Sequence, residues 1–478
     1  MPGAIGRATS ATRFERKAQL ITRERAHTAR RARFKQGQIW SAAILAWGCA
    51  ASAAQAAEFD FGVGLNAAYD SNIGRVETSP QSEVTESLVG GLFLRENTGN
   101  VTARVQALAA RRHFVDHTFT DDTVGFMDSK GAWIIAPKRF NWIVEDTVQM
   151  VQTSITAPET PATLSLSNTF STGPDLVFPF SSVNSILMGG RYGRIDIKNS
   201  NTDNQRVTGY LQGLHALSPL TKISLNYGAQ RVEFIPGAQV YSAIFREDFF
   251  VRFENNSALN STGITLGGSR ATTYGGGPPV GPGRLAIVAF AQTLSVQSKV
   301  SFGFADQLSD TYSDVIAGIS GSTAPRETGI ITVVATPFAT ADLYHSKRGD
   351  LGYSYNGTRF SYSLRAGGRR VDFINDSPNN YGEGYGNFVL MWAPSTVLRF
   401  DANTYYSNRN YDNAGRTDVD RTYGADVIFR VNKNMTTSLT FGRFVRQSTA
   451  ALSSYADNRV ALTAGFGTNP ADIESLRR

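Results

Sequence analysis

From Thr396 to Phe466 the chain alternates with a period of two and sustains that alternation over long runs. Leu398, Phe400, Ala402, Thr404 and Tyr406 form one alternate set, while Arg399, Asp401, Asn403, Tyr405, Ser407 and Arg409 form the other. Such spacing puts the two sets on opposite faces of a strand, one apolar and one polar or charged. Past a loop at Asp412 to Asp418 the pattern returns, with Tyr423, Ala425, Val427, Phe429 and Val431 set against Thr422, Gly424, Asp426 and Arg430. Asn432-Lys433-Asn434 turns the chain and Thr436 to Phe441 starts another strand. The last run, Arg459 to Phe466, sets Val460, Leu462, Ala464 and Phe466 against Arg459 and Thr463. Strands of soluble sandwiches are usually about 5–6 residues long. These runs are long enough for tilted strands of about 9–11 residues that cross a bilayer. The expected fold is all-β: a single large antiparallel transmembrane β-barrel, with short turns on one side and long polar loops on the other.

Length agrees with that reading. The 478 residues hold 18 to 20 strands at roughly 20 residues per strand and loop. Mean hydropathy is only −0.22, as expected when alternate residues alone meet lipid. No run of about 18 apolar residues exists to make a spanning helix. The 29 Phe and 18 Tyr suit aromatic girdles at the membrane surfaces.

The formal charge of +7 is concentrated at one end. Residues 1–56 hold ten Lys and Arg against two acidic residues, and the remainder holds 37 against 38. The basic excess that would suggest a nucleic-acid partner therefore lies in a leader-like segment, and nucleic acid is excluded as a partner. Within that segment Arg30, Arg31, Arg33 and Lys35 precede the apolar run Trp40 to Trp47, and small residues lead to Ala54-Gln55-Ala56. This is the order of a secretory signal, with cleavage expected after Ala56. Met1 to Ala29 reads either as translation from an upstream start codon or as a genuine extension. Cys49, the single cysteine, lies in the leader, so the expected mature chain has no disulfide. Ala46-Trp47-Gly48-Cys49 lacks the Leu of a lipoprotein box, and the flanks of Arg30-Arg31 fit a twin-arginine signal poorly.

From Glu58 onward short connections recur at Glu96 to Asn100, Pro137-Lys138-Arg139, Phe180-Ser181-Ser182, Ser218-Pro219-Leu220, Ser257 to Ser261 and Pro394-Ser395. Long polar stretches alternate with them, including Asp70 to Glu83, Asp116 to Asp122, Thr153 to Thr163, Lys198 to Gln205, Asn375 to Gly384 and Ser448 to Ala456. Both ends of the barrel then fall on the short-turn, periplasmic side, which requires an even strand number. Asp306 to Ala341 breaks the rhythm and is expected either as a long external loop or as a plug folded into the lumen. The expected division is residues 1–56 as extension and signal, 57–466 as barrel and 467–478 as a polar periplasmic tail.

Tyr69-Asp70-Ser71-Asn72-Ile73 resembles the opening motif of the β-barrel porins encoded with exopolysaccharide-biosynthesis and PEP-CTERM/exosortase clusters in Gram-negative bacteria. In that family a first strand ends in Tyr-Asp-x-Asn-Ile, and a polar loop and a strand like Glu86 to Leu94 follow. Tyr344 to Arg359, Gly415-Arg416-Thr417-Asp418 and Tyr455-Ala456-Asp457-Asn458-Arg459-Val460 are similar to later parts of the family's chain. The resemblance implies an outer-membrane barrel linked to surface polysaccharide and supplies no catalytic residues. It also implies partners: outer-membrane lipid and lipopolysaccharide, the barrel-assembly machinery, polysaccharide and periplasmic export proteins. The functions it leaves open are a channel or export component for exopolysaccharide, a scaffold that docks export machinery, and a barrel enzyme acting on lipid or polysaccharide.

Chemistry outside transport finds little support in the residues. His113 and His117 lie beside Asp116, Asp121 and Asp122, a pattern that could activate water or hold a metal but that equally suits a solvated loop. His215 and His345 stand alone on strands. Gly275-Gly276-Gly277-Pro278-Pro279 is a loop tip, not a phosphate cradle. No catalytic, cofactor-binding or metal-binding residue is expected. The candidate lumen-lining residues are Arg359, Arg365, Arg369, Arg399, Asp401, Arg409, Asp426, Arg430 and Arg459, which tune selectivity as charged rings or stiffen the wall as cross-strand ion pairs. Asp70 and Asn72 are expected to cap a turn through side-chain hydrogen bonds rather than to hold a ligand.

Overall fold

A computed structural model describes residues 58–198, 200, 202–235, 242–276, 280–310, 340, 342–375, 379–412 and 415–468. The expected leader with its signal and cysteine, most of the irregular stretch 306–341, the tip of the glycine-proline loop and the residues beyond Thr468 lie outside them.

Twenty strands follow one another. They are β1 (Glu58–Asp70), β2 (Glu83–Asn97), β3 (Val101–Phe114), β4 (Asp122–Ala136) and β5 (Phe140–Gln152). Next come β6 (Leu164–Pro179), β7 (Asn184–Ile197), β8 (Asn204–Ala216), β9 (Thr221–Phe234) and β10 (Ala243–Asn256). They continue as β11 (Asn260–Tyr274), β12 (Gly283–Thr293), β13 (Ser298–Ser309), β14 (Tyr344–Asn356) and β15 (Phe360–Phe373). The series ends with β16 (Tyr381–Trp392), β17 (Leu398–Tyr411), β18 (Arg416–Asn432), β19 (Met435–Ser448) and β20 (Tyr455–Gly467). Each strand pairs antiparallel with the next, and β20 pairs back onto β1 from Gly62↔Gly467 to Asp70↔Arg459. The expected all-β barrel is therefore closed, with the upper of the two expected strand numbers. Closure leaves no edge whose backbone donors and acceptors would be stranded in lipid.

Alternation sorts the wall into two faces. Phe61, Leu65, Leu88, Leu266, Phe302, Leu351 and Leu364 are exposed on the outside. The register pairs outward residues with one another across strands, as in Leu65↔Leu88, Phe302↔Leu351 and Tyr353↔Leu364. Near the short turns the outer face becomes aromatic: Trp133 opposes Trp142, and Trp392 stacks on Phe400 with centroids 5.2 Å apart. Tyr353, Tyr355, Phe360 and Tyr362 form a further cluster on the same level. These are the apolar band and interfacial girdle of a membrane barrel. Asp146 is out of character: it sits halfway along β5 on the outer set with Val144 and Val148, opposite Ser129 and Phe170. Its Oδ1 is enclosed and has no hydrogen-bond partner among the described residues.

The seam is held by more than the β1–β20 ladder. Asn72, 3% exposed, sends its backbone amide to Asp457 Oδ1 (3.0 Å) and its side-chain amide to the carbonyls of Val76 (2.7 Å) and Ala456 (3.2 Å). Its Oδ1 accepts from the Val76 amide, which closes the turn as expected. Ser71 Oγ accepts from the Asn458 amide at 2.8 Å, and Arg75 lies over the Phe444 ring at 4.1 Å. Asp70 faces Arg459 at 3.9 Å. The first and last sequence motifs thus meet and clasp the barrel shut.

Candidate functional site

The third long loop, residues 153–163 between β5 and β6, builds its own scaffold from hydroxyls and prolines. Thr163 Oγ1 accepts from the Thr160 amide (2.9 Å) and donates to the Pro158 carbonyl (2.6 Å), while Ser154 Oγ accepts from the Ala157 amide (3.3 Å). Gln152 reaches back to the Ala157 carbonyl. Those bonds satisfy the middle and end of the loop and leave the carbonyls of Ile155 and Thr156 directed outward from it.

These two carbonyls meet the far wall. Ile155 O accepts from Arg409 Nη1 (3.2 Å) and from the Tyr411 hydroxyl (3.1 Å) on β17. Thr156 O accepts from Arg416 Nη2 (2.8 Å) on β18 and from Arg446 Nη1 (3.2 Å) on β19. The Ile155 side chain packs against the cluster of Tyr344, Val371, Phe373, Tyr381 and Tyr411. Seven strands separate β5 from β17 the shorter way round the wall, so the loop reaches across the barrel at the level of the long-loop strand ends, where Tyr411 closes β17 and Arg416 opens β18. Each anchoring group lies on the inward set of its strand, as the buried Asp418, Tyr411 and Arg446 attest.

Behind the anchors the wall is a lattice of shared ion pairs. The Glu383 carboxylate, its side chain 1% exposed, lies 3.0 Å from both Arg369 and Arg409. Asp418 takes Arg416 at 2.7 Å and Arg446 at 3.8 Å, and Asp420 takes Arg446 at 2.7 Å. Tyr381 lies under two guanidinium groups at 5.3 and 5.0 Å, and Tyr411 under that of Arg416 at 5.5 Å. Charges that are desolvated this far are tolerated only when paired and hydrogen-bonded, so removing one member costs far more than the pair contributes. Opposite, the inner face of β8 to β11 is closed down by a buried Arg206–Asp310 pair (2.6 Å) and by packing among Val232, Ile244, Ala271, Val280, Leu308 and Leu343.

The residues singled out in the sequence fall at different places. Arg369 and Arg409 belong to the Glu383 lattice, and Arg365 pairs with Asp350 at 3.0 Å. Arg399 and Asp401 pair with each other at 3.0 Å lower on β17, and Asp426 accepts from Thr440 Oγ1 at 2.6 Å. Arg459 stands at the seam. Arg430 is exposed beside a register shift at the foot of β18, between Arg430 and Asn432. Arg359 lies in the turn between β14 and β15 rather than on a strand, because β15 starts at Phe360. Glu383, Tyr381, Tyr411, Arg416 and Arg446 are not among the lumen-lining candidates read from the sequence. Arg416 and Asp418 share the parity of Asp426, so carrying the β18 phase upward would have found them. Carbonyl contacts from a loop leave no sequence signal at all.

His113 Nδ1 lies 3.0 Å from Asp121 and its ring stands edge-on to that of His117 at 6.0 Å. Among the described residues no three metal-ligating side chains gather. His215 Nδ1 lies 2.7 Å from Asn184 Oδ1.

An apolar, aromatic-girdled exterior around a polar, ion-paired interior, closed by twenty strands, decides where such a chain can reside. It is an outer-membrane β-barrel. No protein-family model matches it, and no curated protein matches it. Among solved structures, the siderophore receptor PirA from Pseudomonas aeruginosa superposes with a TM-score of 0.42 at 11% identity, over 85% of this chain and 80% of that one. Pseudomonas aeruginosa OccK2 (OpdF) in complex with glucuronate gives a TM-score of 0.39 at 10% identity, over 86% of this chain and 98% of that one. Acinetobacter baumannii OccAB4 gives 0.39 at 8% identity over the same shares.

Proposed function

We propose that this barrel is a non-enzymatic channel through which saccharide crosses the outer membrane, and that its cargo is exopolysaccharide on the way out. The observation that carries the reading is the loop pinned across the lumen by Arg409, Tyr411, Arg416 and Arg446. Barrels of about 16–18 strands already enclose an aqueous channel, and a barrel of this size left open would leak small solutes. A loop held across the mouth narrows it. The remaining inner wall is rich in groups that bond to hydroxyls without trapping ions, among them Ser361, Ser363, Asn387, Asn403, Thr422 and Thr440. Its charges are mostly neutralised by neighbours. The link to exopolysaccharide comes from the resemblance of the Tyr69 to Ile73 and Tyr455 to Val460 motifs.

Refolded protein that shifts on heating in gels should form discrete conducting events in planar bilayers and should pass oligosaccharides into liposomes. Disrupting the gene should lower secreted polysaccharide and leave its synthesis intact. A correctly folded barrel that neither conducts nor passes sugar would overturn the channel, and normal secretion without it would overturn the cargo.

A further inference from the structure

The loop touches the far wall in an unusual chemical combination: one aliphatic side chain and two neutral acceptor oxygens. Ile155 packs against the cluster that contains the Tyr381 and Tyr411 rings, whose centroids are 5.9 Å apart. The carbonyls beside it take four hydrogen bonds, three from guanidinium groups and one from a phenol. No described hydrogen bond or ion pair joins a charged loop side chain to this wall. A pyranose ring presents the same combination, with C–H groups on one face and hydroxyl oxygens around its edge. Aromatic faces accept the first, and arginine and tyrosine donors accept the second.

We propose that the inner face of β16 to β19 is a saccharide-binding groove, and that the third loop occupies it as a stand-in for sugar when no polymer is present. This rests on the channel reading above and names the site that reading needs. Three further observations shape the ligand. The wall is covered rather than bare: Tyr381 and Tyr411 are 1% and 3% exposed, so a ligand must displace the loop to reach them. Arg409 Nε is buried with no hydrogen-bond partner among the described residues, a spare donor that a sugar hydroxyl could reach. Arg369, Arg409, Arg416 and Arg446 are already engaged by Glu383, Asp418 and Asp420, so a ligand carboxylate would sit against three carboxylates that hold these guanidinium groups. The groove therefore takes uncharged hexose units in preference to uronic acids.

The loop and the ligand compete, so shortening the loop should tighten binding. The experiment compares the full chain with a variant in which residues 154–162 are replaced by Gly-Gly, both folded in a polyoxyethylene detergent that contributes no sugar. Calorimetry with maltohexaose as the neutral probe should show binding about tenfold tighter to the shortened barrel than to the full one. Tyr411→Ala in the shortened background should abolish that gain without unfolding the barrel, as heat-modifiability on gels reports. Hexagalacturonate should bind more weakly than maltohexaose to both. Equal maltohexaose affinity with and without the loop, or a preference for hexagalacturonate, would overturn the groove. Bilayer conductance of the same samples tests the channel separately: a barrel that conducts and shows no loop-dependent sugar binding loses the groove alone, and one that binds sugar and never conducts loses the channel alone.

Discussion

The backbone amide of Asn72 donates to Asp457 Oδ1 at 3.0 Å and so joins residues 385 positions apart. The carboxylate also takes the Ser71 hydroxyl at 3.3 Å and lies 3.7 Å from Arg75, with its side chain 1% exposed. Asp457→Ala leaves a buried amide and a guanidinium without their acceptor. The expected cost is about 2–3 kcal/mol, read as a lower urea midpoint and a larger fraction of unclosed barrel on unheated gels. An unchanged midpoint would mean the β1–β20 ladder closes the barrel unaided.

Glu383→Gln removes the shared carboxylate between Arg369 and Arg409 and leaves two buried cations facing the lumen. Removal of one partner from a buried pair costs about 3–5 kcal/mol. In the molecules that fold, the reversal potential in a salt gradient should move toward anion selectivity. A cation-selective or unaltered channel would place Glu383 away from the permeation path.

The two faces of the wall give a contrast. Leu364→Arg places a charge on the exposed outer surface among Tyr353 and Phe388. An arginine at the lipid midplane costs about 2–4 kcal/mol, measurable in refolding titrations, with conductance unchanged in the folded fraction. If Leu364→Arg folds normally and alters conductance, the inward and outward sets have been interchanged.

Asp146 gives the opposite sign. It faces outward with an unpartnered oxygen, flanked by Val144 and Val148. Asp146→Val should stabilise the barrel by about 1 kcal/mol, below the penalty for a basic residue on that face. Destabilisation would show that the carboxylate has a partner in the membrane.

What the sequence disclosed follows from how far each signal reaches. Alternation is local, so the β17 sets beginning at Leu398 and Arg399 translated directly into an outer and an inner face. The same locality failed at Arg359, because a turn keeps the phase of the strands beside it, and at Arg430, where a register shift ends the regular wall. The Asn72 turn was readable because an Asn side chain reaches its own backbone. Its hold on Asp457 was not, since nothing within either segment records the other. The stretch 306–341 lacks alternation, which marks it as either an external loop or a plug, and most of it lies outside the described residues. Among the described residues the loop that reaches across is 153–163, whose hydroxyls and prolines look like those of any surface loop. Its destination is set by backbone carbonyls, which every residue has.

The four bonds that hold this loop have one property in common. All four end on main-chain carbonyl oxygens, those of Ile155 and Thr156. The strap therefore does not depend on which side chains the loop presents: exchanges within 153–163 that keep the backbone path leave the four bonds in place. The loop can therefore diverge in sequence while its hold persists, whereas the four donors on β17 to β19 have no such freedom.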